Sequence, residues 1–219
     1  MTTPQTDPRQ WALGMLAPGT AVVLDCETTG FDGSIIEIAV IDAATGAVLL
    51  DTLVDPGDVA IEPGAQAVHG ITAAALVGAP TWPQVLPRIV EAVAGRIVLA
   101  YNAPFDHGRI LHDCARTGTV APVLADETRW QCVMQQRSAA LGTDLNVPLS
   151  GGHRALGDTV AAREVLVLLA TGRPDIAGVA ALDAHQHRQA DKAAAEAATP
   201  ISRSRSRPPF RSGAGRGEW

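Results

Sequence analysis

Two carboxylates separated by one residue, Asp25 and Glu27 in the run Asp25-Cys26-Glu27-Thr28-Thr29-Gly30, close an apolar stretch that begins at Ala21. In an extended chain residues two apart point to the same side, so both acids face one surface. Each alone reads as an ordinary solvated strand end. Together after an apolar strand they repel at close range, and a cation relieves that conflict. The Thr-Thr-Gly that follows lets backbone come close to a ligand. A third acid, Asp106, ends a second group, the run Asn102-Ala103-Pro104-Phe105-Asp106. It falls in the first turn of a helix opened by Pro104, where the helix dipole favours a carboxylate with or without a functional role. The third group is His153-Arg154-Ala155-Leu156-Gly157-Asp158, preceded by Gly151-Gly152. A histidine on a glycine loop is a natural general base, because its ordinary pKa lies near operating pH. The plainer alternatives are an exposed loop histidine and a second helix-start acid.

The elements that carry these residues follow from the hydrophobic pattern. Residues 21–25, 35–42 and 48–54 read as three strands, with Thr45-Gly46 as a tight turn between the second and third. Strands so close in sequence pair antiparallel. Thr72 is placed to cap a short helix over 73–77. Thr81 precedes a helix in which Val85, Ile89 and Val93 recur before Gly95. A strand over 96–101 leads into Asn102, which caps the helix that runs to Thr117 and stops at Gly118. Residues 122–126 read as a fifth, short strand and 130–141 as a helix. The loop 142–153 carries Gly, Pro and Ser throughout, and a last helix begins near Arg154 with Ala161, Val165, Leu168 and Leu169 on one face. This order predicts a mixed sheet with helices packed on it.

With 219 residues and 47% hydrophobic content, the chain fits one domain with a real core and some length to spare. Residues 1–18 read as an N-terminal extension, polar over 1–10, and 19–172 as the domain. Residues 173–219 read as a tail, Ala-rich over 176–198 and Arg/Ser/Pro-rich and disordered beyond. Charge is uneven: 1–170 hold 9 basic and 18 acidic residues, net −9, and 171–219 hold 8 and 5, net +3. An acidic body excludes a protein that coats nucleic acid by bulk electrostatics, but not an enzyme that takes a strand end, since bound metal reverses the local sign. The three cysteines, Cys26, Cys114 and Cys132, show neither a disulfide framework nor a zinc spacing. No signal peptide or membrane-spanning run is apparent, and a soluble cytoplasmic protein is expected.

The segments DCETTG, NAPFD and HRALGD, in this order and at these separations, resemble the three exonuclease motifs of the DEDD superfamily. A histidine five residues before the last Asp is the mark of the DEDDh branch, which contains the proofreading exonuclease subunit of bacterial DNA polymerase III. Val68-His69-Gly70-Ile71-Thr72 resembles the VHGIT stretch that many members carry between the first and second motifs. The resemblance implies an α/β fold of ribonuclease H-like type, a five-stranded mixed sheet with an antiparallel βββ start, flanked by helices. It implies that Asp25, Glu27, Asp106 and Asp158 ligate two Mg²⁺ or Mn²⁺ ions and that His153 takes a proton from the attacking water. Glu27 would also bind the terminal 3′-OH, and Thr28, Thr29, Gly30, Phe31 and His69 would form the pocket for the terminal nucleotide. Phe105 is expected in the core, as is Cys26. The implied reaction is 3′→5′ removal of nucleoside 5′-monophosphates from single-stranded or frayed DNA 3′ ends. The Arg/Ser/Pro-rich tail reads either as a segment that holds nucleic acid or docks a DNA polymerase, or as a solvated tail. Two other readings share the fold: an exoribonuclease of the same branch, and a non-catalytic polymerase accessory module.

Overall fold

The computed structural model describes residues 7–198, with side chains through 191. The Arg/Ser/Pro-rich run expected to be disordered lies outside the described residues. The chain divides into two compact units, one through Leu182 and one from Asp183 onward. Among the described residues no single helix is long and apolar enough to cross a membrane.

The first unit is built on one sheet of five strands: β1 (Ala21–Thr28), β2 (Ile35–Asp42), β3 (Val48–Leu53), β4 (Ile97–Ala100) and β5 (Trp130–Cys132). Their order is β3-β2-β1-β4-β5. The β1–β2–β3 meander is antiparallel, and β4 and β5 continue it in parallel. The β2–β3 turn is closed by Asp42, whose carboxylate accepts from the Thr45 N–H and hydroxyl, and by Gly46 at a left-handed φ of 76°. This is the expected α/β arrangement of five mixed strands with helices on both sides.

Both faces of the sheet are covered, which explains why β2 is apolar almost throughout and shows no alternation. On one face Val22, Leu24 and Val40 meet α3 (Trp82–Val93) and α4 (Ala103–Thr117) through Trp82, Ile89 and Ile110. On the other, Val23, Ile41 and Leu99 meet α1 (Pro8–Met15) and α7 (Ala155–Thr171) through Trp11, Leu166 and Leu169. The remaining helices are α2 (Pro63–His69), α5 (Pro122–Ala125), α6 (Val133–Ala140) and α8 (Ile176–Ala198). Strand β4 pairs with β1 only at Ala21, Val22 and Val23, so the C-terminal half of β1 runs past it with an open edge.

The structure differs from the sequence-based expectations at several elements; Asn102 precedes α4 but its side chain makes no capping hydrogen bond. Residues 122–125, expected as the fifth strand, form the short helix α5, with Pro122 in its first turn and Leu124 buried. The fifth strand is instead Trp130–Cys132, inside the stretch expected as helix, and α6 begins only at Val133. Three residues are too few for a period to declare itself, and here the partner edge of β4 decides. Residues 8–15, read as part of an extension, form α1, capped by Asp7, with Trp11 only 8% exposed and Ala12 fully buried. The Trp11 indole N–H donates to Gln131 in β5. A short polar helix with one narrow apolar stripe hides this docking from composition. Trp11→Ala is expected to cost about 3 kcal/mol of unfolding free energy by opening a cavity against α7. An unchanged urea midpoint would place α1 outside the cooperative unit.

Candidate active site

The site forms where β1 outruns β4. Asp25 and Glu27 project from β1 on the side that faces α7, while Cys26 points the other way into the α3/α4 core, as expected. Asp158 arrives from the first turn of α7. Asp25, Glu27 and Asp158 each offer a carboxylate oxygen, and all three lie within 4.8 Å of one another. Asp106, in the first turn of α4 and 2% exposed, stands outside this close trio. Its Oδ1 accepts from the Cys26 backbone N–H at 3.1 Å and from the Cys26 thiol at 3.2 Å. It thereby takes the acceptor place on β1 that the shorter β4 leaves open.

The segment before α7 wraps around Asp158. A Cβ at Gly151 would stand 1.8 Å from Asp158 Oδ1, so only glycine allows this approach. Gly152 follows at φ 89°, and His153 is exposed with a left-handed φ of 56°, the one such non-glycine residue among those described. The pocket residues lie on the turn after β1. The Thr28 hydroxyl donates to Gly30 O and the Thr29 hydroxyl accepts from Ser34 N–H, so both side chains brace the turn, and the backbone is what it presents. Phe31 is 78% exposed, with its ring centroid 5.6 Å from that of Phe105, which is partly buried against the core. His69 ends α2 and is buried; its Nδ1 accepts from Ile71 N–H, and its Nε2 has no partner.

Glu37 and Arg109, which lie outside the three motif segments, also border the site. Glu37 is in direct register with Glu27 across β1 and β2, buried, and bonded to Arg154 and to the start of α7. The available signal was a lone acid in the otherwise apolar run Ile-Ile-Glu-Ile-Ala-Val-Ile. Arg109 donates to Gly33 O at 3.3 Å and its guanidinium lies 5.9 Å from the Phe105 ring, bracing the turn that carries Phe31.

Burial and mutual repulsion dominate the electrostatics. Asp25 is pushed well above the usual carboxylate range by burial, then by Asp106, Asp158, Glu27 and Glu37. Glu27 is raised to about 7 by burial and by Asp158, Glu37 and Asp106, with Arg154 opposing. Asp106 is also raised to about 7 by burial, against the Cys26 hydrogen bonds. Burial raises Asp158 too, although His153 pulls it down. Asp158 Oδ1 is buried with no hydrogen-bond partner. An oxygen-only donor set of one sign with an orphaned acceptor fits a divalent cation.

These raised values carry a sign. Each acid binds its proton more tightly folded than unfolded, so without metal its contribution to stability is present at low pH and lost as pH rises through the folded value. For Glu27 that window runs from 4.5 to about 7. In EDTA the melting temperature should therefore fall across this window. Asp25→Asn should melt higher than the parent above neutral pH, where it removes one repelling charge. A variant that melts lower there would contradict this account of the site.

Residues 22–166 match the family described as Exonuclease, RNase_T. A DNA polymerase III subunit epsilon-like protein of Rhodobacter capsulatus is 33% identical over 167 residues, covering 68% of this chain and 23% of that protein. Exodeoxyribonuclease 10 of Escherichia coli is 32% identical over 151 residues, 66% of each chain. Among solved structures, exonuclease I of E. coli with an oligonucleotide superposes with a TM-score of 0.55 at 18% identity, over 69% of this chain and 42% of its own. The nuclease domain of 3′hExo, a DEDDh family member bound to rAMP, does so at 0.54 and 17%, over 69% and 92%. At these identities the likeness is one of fold. The chain spans only 23% of the length of the Rhodobacter capsulatus protein and 11% of that of a DNA polymerase III PolC-type of Clostridium perfringens, to which it is 31% identical over 156 residues. The match over 22–166, which takes in β1 through most of α7 and all four acids, is the basis for the assignment: this chain belongs to the RNase_T exonuclease family.

Proposed function

We propose that the domain removes nucleotides one at a time from DNA 3′ ends, releasing nucleoside 5′-monophosphates, with two Mg²⁺ or Mn²⁺ ions held by Asp25, Glu27, Asp106 and Asp158. The observation that carries this reading is the meeting of three carboxylate oxygens within 4.8 Å beside the loop that bears His153. Oxygen ligands without a thiolate suit these hard cations. Such a pair of ions, when bound, stabilises charge on the attacking and leaving oxygens of an in-line phosphoryl displacement.

The chain's own groups supply the rest. His153, exposed on its turn, takes the proton of the attacking water. Glu27, the outermost acid of β1, binds the terminal 3′-OH and so confines attack to an end. The backbone of Thr28, Thr29 and Gly30 lines the terminal-nucleotide pocket, the Phe31 ring stacks on a base, and His69 shapes the wall behind. DNA is favoured because relatives of this chain bear the names DNA polymerase III subunit epsilon and exodeoxyribonuclease. Those names also motivate a polymerase as partner, bound through the segment after residue 172.

The test uses 5′-labelled single-stranded DNA and RNA of one sequence with Mg²⁺, Mn²⁺ or EDTA. A DNA ladder shortening from the 3′ end, lost in EDTA and in Asp106→Ala, is the expected outcome. His153→Ala should slow it by about a hundredfold or more. Faster loss of RNA would move the assignment to an exoribonuclease. No degradation by folded protein would leave the accessory-module reading in its place.

A further inference from the structure

We infer that Glu37 is a positioning residue for His153, acting through Arg154, an inference that rests on the general-base role proposed for that histidine. Glu37 is 4% exposed and lies in register with Glu27 on the same face of the sheet. A buried acid opposite another acid is unfavourable unless donors hold it. Its donors come from the two residues that follow His153. Arg154 Nε lies 3.1 Å from Oε1 and 3.0 Å from Oε2, Arg154 Nη2 also donates to Oε1, and the Ala155 N–H donates to Oε2 at 3.0 Å.

This clamp sits on one side of a strained residue. His153 holds a left-handed φ that side chains other than glycine rarely adopt, and such a conformation persists only where neighbours over-determine it. Before it, Gly151 is pressed against Asp158; after it, Arg154 and Ala155 are tied to β2 through Glu37. The Arg154 side chain is 55% exposed, so the pair is not simple core packing. The clamp fixes where α7 starts, and with it the direction in which the His153 ring projects relative to Asp158. Glu37 is bonded to Arg154 and the Ala155 N–H and acts on the reacting atoms only through them. It sets the aim of His153.

The test is a cycle of Glu37→Gln, His153→Ala and the double variant, with Arg154→Lys as a milder opening of the same fork. Glu37→Gln should lower kcat about ten- to a hundredfold with KM held within about twofold. In the His153→Ala background the same substitution should cost less than about twofold, because the group it positions is gone. Equal losses in both backgrounds, or no loss in the first, would overturn the inference. A second readout needs no activity: hydrogen exchange of the amides in 151–155 of the metal-free protein should quicken in Glu37→Gln and Arg154→Lys while the sheet is unchanged. Unchanged exchange in this loop would also overturn it. If the parent degrades nothing, the proposed function fails while the exchange measurement still decides whether the clamp exists.

Discussion

Repulsion among acids at one end of the sheet is the constraint around which this domain is organised. Asp25 lies within the field of Glu27, Glu37, Asp106 and Asp158, and every one of them resists its ionisation. The acids at the rim are each given a partner. Asp106 is held by the Cys26 N–H and thiol, and Glu37 by Arg154 and the Ala155 N–H. The three at the centre are left facing one another, with Asp158 Oδ1 unpartnered. A fold that tolerates this arrangement needs stability from elsewhere, and the two apolar layers on either face of the sheet provide it.

The opening that admits these acids is a consequence of strand length. Were β4 as long as β1, its backbone would accept the N–H that Asp106 now binds. Because β4 ends at Ala100, the chain turns into α4 just where its first-turn acid can reach β1. The site therefore sits beyond the carboxyl ends of neighbouring parallel strands, a place where α/β sheets commonly bind ligands. The β1–β4 register sets where Asp106 reaches Cys26, and Asp158 of α7 completes the close trio with Asp25 and Glu27.

The histidine side is held from behind as well. Tyr101, at the end of β4, donates through its hydroxyl to Val147 O at 2.6 Å. Arg137 of α6 donates to that same hydroxyl and to Pro148 O, and forks onto Asp175. This buried network ties down the middle of the loop that leads to Gly151–His153. The last residues of that loop, two glycines and a left-handed histidine, make the turn into α7.

Much of this was legible in the residues. The β1–β2–β3 meander, the start and stop of α4 at Pro104 and Gly118, and the alternation that puts Asp25 and Glu27 on one side follow from local rules. Of the acids in the three motif segments, Asp25, Glu27 and Asp158 come within 4.8 Å of one another, while Asp106 stands outside that trio. Short pieces were not legible: β5 and α5 exchanged places, since three or four residues carry no period and their state is set by the edge they meet. Nor was the packing of α1, whose single stripe acquires meaning only against α7. Tertiary structure alone decided that Arg154 would cover Glu37 and that Asp106 would bond to Cys26. Those contacts join residues about 80 or more positions apart, as with Cys26 and Asp106 or Glu37 and Arg154, and no local pattern encodes a distance that exists only once the chain has closed on itself.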